Sequence, residues 1–159
     1  MTELSFNTMN HSAYLGLDAR LPEQVRAAAA AGYELFGPDL FSILQMEEQG
    51  TTVDELAELI GSAGMRCFEI AALAIYEDRE TTMQGARELA RVAHVLRPEW
   101  VMANGFADLS LPELAHRVAV ALKQDRNRVN KFSRFHSFVI QMTQTDVIRL
   151  FLFDRARGR

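Results

Sequence analysis

A unit of helix, glycine and short apolar run recurs along the first two thirds of the chain, and it restricts the fold more than any other feature. In residues 27–39, a run of alanines favours a helix, and Gly32 suits the left-handed position that ends one. The apolar residues 33–36 then predict a short strand covered on both faces. Residues 37–39, Gly-Pro-Asp, are expected to end that strand with a turn.

Four such apolar runs are expected to be strands, at residues 5–9, 33–36, 66–73 and 100–104. They begin roughly 30 residues apart, the length of one βαβ unit. No hairpin signal separates them, so the sequence predicts an α/β fold of parallel strands joined by right-handed crossovers.

Capping residues indicate the helices between these strands. Thr52 and Glu55 have the spacing of a capping box. A helix capped by Thr81 or Thr82 is expected before the fourth strand, and one capped by Ser110 after it.

Composition places the chain among globular proteins. It has 159 residues, 48% of them hydrophobic and 24% charged, enough for one domain with a sizeable core. No run of about 20 apolar residues is present, so we expect no membrane span. The single cysteine, Cys67, excludes an internal disulfide and fits a reducing compartment such as the cytoplasm. We expect it to be a buried, unreactive thiol.

The balance of charge changes sharply after Leu122. Residues 1–122 contain no lysine, and acidic residues outnumber arginines there by 18 to 8. Residues 123–159 form a basic tail, in which 137–142 and 147–153 are apolar enough for a strand or a short helix. The acidic body argues against nucleic acid as a partner of this tail.

Three segments carry a family resemblance: FNTMNHS near the start, AAAAAGYELFGPDLFSI, and AGMRCFEIAAL. With the spacing of the four βα units, residues 4–122 resemble the sugar phosphate isomerase/epimerase family, the xylose-isomerase-like TIM barrels. The resemblance implies a partial TIM barrel of about four βα repeats, because eight units need roughly 250 residues. It also implies an isomerase that transfers a proton next to the carbonyl of a sugar or sugar phosphate, assisted by a divalent metal.

In that family the metal ligands come from later strands, and nothing after Leu122 matches those strands. We therefore assign no metal ligand, cofactor or catalytic pair to this chain and expect it to be inactive alone. The loss of alanine and gain of lysine near Leu122 is what a truncated or frame-shifted C-terminus predicts. That hypothesis fails if no other reading frame continues the barrel pattern.

Candidate substrate-binding residues lie in or just after the predicted strands, toward the carboxyl ends where parallel α/β proteins place their sites. They are Asn10, His11, Glu69 and Asn104. Because strand residues alternate faces, Glu69 is expected to share a face with Cys67. A carboxylate there either contacts substrate or a metal shell, or forms a structural ion pair.

The other candidates also keep a structural alternative. His11 and Asn104 can bind a sugar oxygen, or belong to ordinary loop and turn chemistry. Asp39 either caps a short helix over residues 41–49 or contacts ligand. Nucleotide-binding and zinc motifs are absent from the sequence.

Three hypotheses remain open at this point: an incomplete sugar isomerase/epimerase barrel, a non-catalytic half-barrel that assembles or binds, and a small doubly wound domain whose fifth strand comes from the tail. An open half-barrel leaves strand edges unpaired, which predicts a homodimer unless the tail covers them.

Overall fold

The computed structural model describes residues 3–105, His116, and two strands at 135–142 and 147–154. The elements follow in the order β1 (Ser5–Asn7), α1 (Leu21–Ala30), β2 (Leu35–Gly37), α2 (Leu40–Glu48), α3 (Val53–Ser62), β3 (Arg66–Cys67), β4 (Glu69–Ile75), α4 (Arg79–Leu96), β5 (Trp100–Gly105), β6 (Phe135–Met142) and β7 (Val147–Asp154), with 3₁₀ turns at Thr8–His11 and Ala13–Leu15.

The chain divides into two compact units, of which the first comprises Met1–Ala71 with Val95–Pro98. Its strands form a sheet in the order β1-β2-β3, and both pairings are parallel. Helices separate these strands along the chain, which confirms the prediction of parallel strands alternating with helices. Helix α1 packs against α3, with Val25, Leu56 and Ile60 buried in the core.

Local chemistry accounts for the helix ends in this unit. The capping box at α3 is present as predicted, with Thr52 accepting from the N–H of Glu55 and the Glu55 carboxylate accepting from the N–H of Thr52. Gly32 and Gly64 follow α1 and α3 with φ of +83° and +75°, a region that glycine enters without strain.

Strand β2 begins two residues later than predicted and ends one residue later, at Gly37, which the sequence had indicated as a turn residue. Gly37 pairs with Asn7 in the sheet and is buried. Its φ lies outside the left-handed region. Glycine is therefore required here for space beside the backbone, as the site geometry below shows.

The second unit comprises Ala72–His94 and Glu99–Arg159. The second sheet has the order β4-β5-β7-β6, in which β7 pairs antiparallel with both β5 and β6. The two apolar segments of the tail are thus strands, and both extend the sheet beyond β5.

The start of α4 differs from the prediction. The helix begins at Arg79, and the residue before it, Asp78, accepts from the N–H of Thr81 at 2.8 Å. Thr82 instead lies inside the helix, where its hydroxyl accepts from the N–H of Tyr76 at 3.0 Å. Aspartate caps as well as threonine does, so three capping-type residues in five positions left the sequence ambiguous.

The described strands form two separate sheets, and no closed barrel is found among them. None of the described helices combines the length and the apolar character that a membrane crossing needs. The helix predicted after Ser110 lies outside the described residues, except that His116 is helical and exposed.

Candidate functional site

A row of three residues crosses the carboxyl ends of the strands in the first unit. Asn7 ends β1, Gly37 ends β2 beside it, and Glu69 follows directly after the break that ends β3. The side-chain amide of Asn7 donates a hydrogen bond to Oε1 of Glu69. The two side chains thus meet above Gly37, at the edge where parallel sheets place their ligand sites.

Gly37 makes this approach possible. A Cβ at position 37 would lie 2.7 Å from Cγ and 2.9 Å from Oε1 of Glu69. These separations are too short for any side chain, so the carboxylate occupies the space that another residue would fill. Glu69 is buried, with 6% of its surface exposed.

A β-bulge turns Glu69 toward Asn7. The N–H of Phe68 donates to the carbonyl of Phe36 at 3.0 Å, and the N–H of Ala71 donates to the carbonyl of Pro38 at 3.1 Å. The two acceptor carbonyls are two residues apart, whereas the two donor N–H groups are three residues apart. The segment 66–73 therefore carries one extra residue opposite residues 36–38. Bulges of this kind re-aim side chains and are frequent next to active sites.

The bulge corrects the prediction that Glu69 shares a face with Cys67. Cys67 pairs with Phe36 in the parallel register, so their side chains point to one face. Glu69 lies over Gly37, on the opposite face. Simple alternation along residues 66–73 failed because the single strand it assumed is interrupted at Phe68.

The orientation of the Asn7 amide is fixed by a second contact. Its Oδ1 accepts from the N–H of Met9 at 2.8 Å, across the start of the 3₁₀ turn. The NH₂ group of Asn7 is therefore the end that faces Glu69, and the Glu69 carboxylate is the acceptor that this donor needs. An amide donor and a carboxylate acceptor thus lie side by side, a pair that matches a hydroxyl group, which is both donor and acceptor.

Asp39 anchors the turn next to this pair. It is fully buried and caps α2 by accepting from the N–H of Ser42 at 2.9 Å. Its carboxylate also accepts from the hydroxyls of Thr8 at 2.6 Å and Ser12 at 2.7 Å. Of the two interpretations given for Asp39, the helix cap is the one that the structure shows.

The structure places the four predicted site residues differently. Asn10 and His11 are exposed on the 3₁₀ turn that follows β1. Glu69 is at the centre of the site, whereas Asn104 lies in β5 of the second unit, where its buried Oδ1 has no hydrogen-bond partner.

Sequence reasoning left Asn7 out of the candidates for binding. It stands inside the predicted first strand rather than after it, and its neighbours in the loop, Asn10 and His11, were preferred. The available signal was a polar amide inside the first predicted strand.

Cys67 is buried, as predicted. Its Sγ donates to the carbonyl of Glu69 at 3.5 Å. Burial, assisted by the negative charge of Glu69, raises the pKa of the Cys67 thiol far above its ordinary value. A thiol in this state is a poor nucleophile.

Within the part of the chain that the structure describes, no three His, Cys, Asp or Glu side chains are grouped so as to hold a metal ion. Comparison with models of protein families finds no match to this chain, and comparison with curated proteins finds none either.

Proposed function

We propose that the first unit binds a sugar or sugar phosphate through its hydroxyl groups at the Asn7–Glu69 pair. The observation that carries the proposal is the contact itself: an oriented amide donor and a buried carboxylate acceptor at the carboxyl ends of parallel strands. Hydroxyls on adjacent sugar carbons can donate to the carboxylate and accept from the amide.

Three features of the chain support a binding role for Glu69. Glu69 is a buried carboxylate, a bulge re-aims its side chain, and the absence of a side chain at Gly37 leaves room for it. A buried carboxylate needs hydrogen-bond donors around it, and a sugar hydroxyl supplies one.

The resemblance of residues 4–122 to the sugar phosphate isomerase/epimerase family indicates the same substrate class. On this view the unit corresponds to the first βα repeats of such a barrel, and Glu69 takes part in substrate binding. Since the sequence after Leu122 does not match the strands that carry the family's metal ligands, we expect binding without isomerase turnover.

A second candidate is a small α/β domain with a ligand site unrelated to sugars. The pairing of β7 with β5 favours it, because the tail then contributes a strand to the second sheet. This alternative predicts a monomer in light scattering and protection of the tail amides from hydrogen exchange. The half-barrel predicts a homodimer instead.

Titration of the ¹⁵N-labelled protein with D-xylose and with D-ribose 5-phosphate, followed by NMR, tests the proposal. Glu69→Gln should weaken binding roughly tenfold, since hydrogen bonds to a charged group contribute about 1.5–3 kcal/mol. Glu58→Gln, at an exposed position on α3, is the matched control and should leave the affinity unchanged. Folded wild-type protein that binds neither probe, or equal affinities in both variants, would refute the proposal.

A further inference from the structure

We propose that Thr8 and Asp39 are positioning residues for Asn7: their mutual hydrogen bonds, called here the Thr8–Asp39 clasp, hold the Asn7 amide toward Glu69. This inference deepens the proposed function and rests on it only for the ligand affinities. The orientation of Asn7 is a property of the free protein and is measured without ligand.

The clasp consists of two hydrogen bonds made by one hydroxyl. Oγ1 of Thr8 donates to Oδ2 of Asp39 at 2.6 Å and accepts from the N–H of Asp39 at 2.8 Å. Both residues are almost completely buried, at 1% and 0% exposure. Water therefore cannot replace either partner, and both bonds constrain the position of residue 8 relative to α2.

The two carboxylate oxygens of Asp39 have different hydrogen-bond partners. Oδ1 accepts from the N–H of Ser42, which is the helix cap, and from the hydroxyl of Ser12. Oδ2 accepts from Thr8. The cap of α2 therefore does not depend on Thr8, and a helix cap alone does not account for the clasp.

The clasp acts on Asn7 through the backbone. Thr8 follows Asn7 directly, and the N–H that orients the Asn7 amide belongs to Met9, the next residue along. Fixing Thr8 fixes the direction of that N–H, which in turn directs the NH₂ group of Asn7 to Glu69. On its other side Asn7 is held by its pairing with Gly37.

Ser12 provides a matched control for Thr8. Its hydroxyl also makes two hydrogen bonds, donating to Asp39 at 2.7 Å and accepting from the N–H of Tyr14 at 3.0 Å, and Ser12 is equally buried. It is not adjacent to Asn7. Removing either hydroxyl should cost similar stability, but only the loss of the Thr8 hydroxyl should release Asn7.

The experiment records the side-chain NH₂ signals of Asn7 in the free protein and the affinity for D-xylose. In Thr8→Val the two signals should move toward those of an unconstrained, solvent-exposed asparagine side chain, and binding should weaken roughly tenfold. Ser12→Ala should leave both unchanged, and Thr8→Ser should restore them. Equal effects of Thr8→Val and Ser12→Ala, or wild-type Asn7 signals in folded Thr8→Val, would overturn the proposal.

Thr8→Ala serves if Thr8→Val fails to fold. Alanine removes the same hydroxyl, and with it both bonds to Asp39, without placing an extra methyl group against the buried carboxylate. The clasp predicts displaced Asn7 signals in this variant, and wild-type signals would contradict it. Loss of D-xylose binding in every protein, with Asn7 displaced only in the clasp variants, would refute the proposed function and leave the positioning role standing.

Discussion

Replacing Gly37 by alanine should destabilise the protein specifically through Glu69. The new Cβ would lie 2.7 Å from Cγ of Glu69, about an ångström inside van der Waals contact, so the carboxylate must move away. Overpacking of a buried site costs about 1–3 kcal/mol, and losing the Asn7 contact to a charged group adds about 1.5–3 kcal/mol. We expect the free energy of unfolding to fall by about 3–5 kcal/mol.

Urea unfolding followed by circular dichroism measures this loss, and Gly61→Ala provides the control. Gly61 lies in α3, and a Cβ there meets nothing within 4 Å. Alanine is the better helix former by about 1 kcal/mol, so the same substitution at this position should stabilise the protein.

A double-mutant cycle isolates the steric cause. In a Glu69→Ala background, the clash that Gly37→Ala creates is absent, and the substitution should cost less than about 1 kcal/mol. The same cost in both backgrounds, or a Gly37→Ala protein as stable as wild type, would show that Glu69 does not occupy the space above Gly37.

Four further outcomes follow from the same contacts. Asp39→Ala should lower the free energy of unfolding by about 3–5 kcal/mol in urea titrations, because a helix cap and two buried hydroxyl bonds are lost. Cys67 should react with an aromatic disulfide reagent only as fast as the protein unfolds, because burial raises the pKa of its thiol; rapid reaction of native protein would contradict this. Hydrogen bonds from Thr52 hold the pKa of Glu55 below its ordinary value, so its capping contribution is present above that ordinary value and is lost as the pH falls through the lowered pKa. Thr52→Ala should raise that pKa, as measured by carboxyl ¹³C NMR. Purified protein with Mg²⁺ or Mn²⁺ should not interconvert an aldose and its ketose in a coupled assay.

The parallel α/β layout could be predicted because local signals agree with it. The glycines after α1 and α3, the apolar runs of the strands and the Thr52–Glu55 capping box each predict where an element begins or ends. The boundaries that they predict agree with the observed ones to within a few residues. The antiparallel pairing of β7 with β5 could not be predicted. More than 40 residues separate the two strands along the chain, and nothing in either segment specifies antiparallel order.

The sequence indicated part of the candidate site. Glu69 stood out as a charge inside an apolar strand, which burial makes costly. The face of the sheet on which Glu69 lies did not follow from the alternation of strand residues. The extra residue of the bulge depends on how residues 66–71 pair with residues 35–38, which the local sequence does not specify. Glycine is a typical turn residue, so the sequence predicted a turn at Gly37. Its role in the structure depends on the side chain of Glu69, 32 positions later.

The most direct test of the account is a chemical-shift map of the protein titrated with D-xylose. We predict that the largest changes occur at Asn7, Thr8, Gly37 and Glu69, with the side-chain NH₂ of Asn7 among them, and that Glu69→Gln moves this pattern to roughly tenfold higher D-xylose concentration. Shifts centred on Asn104 and the second sheet, with the Asn7 amide unmoved, would contradict the claim that the Asn7–Glu69 pair is the binding site.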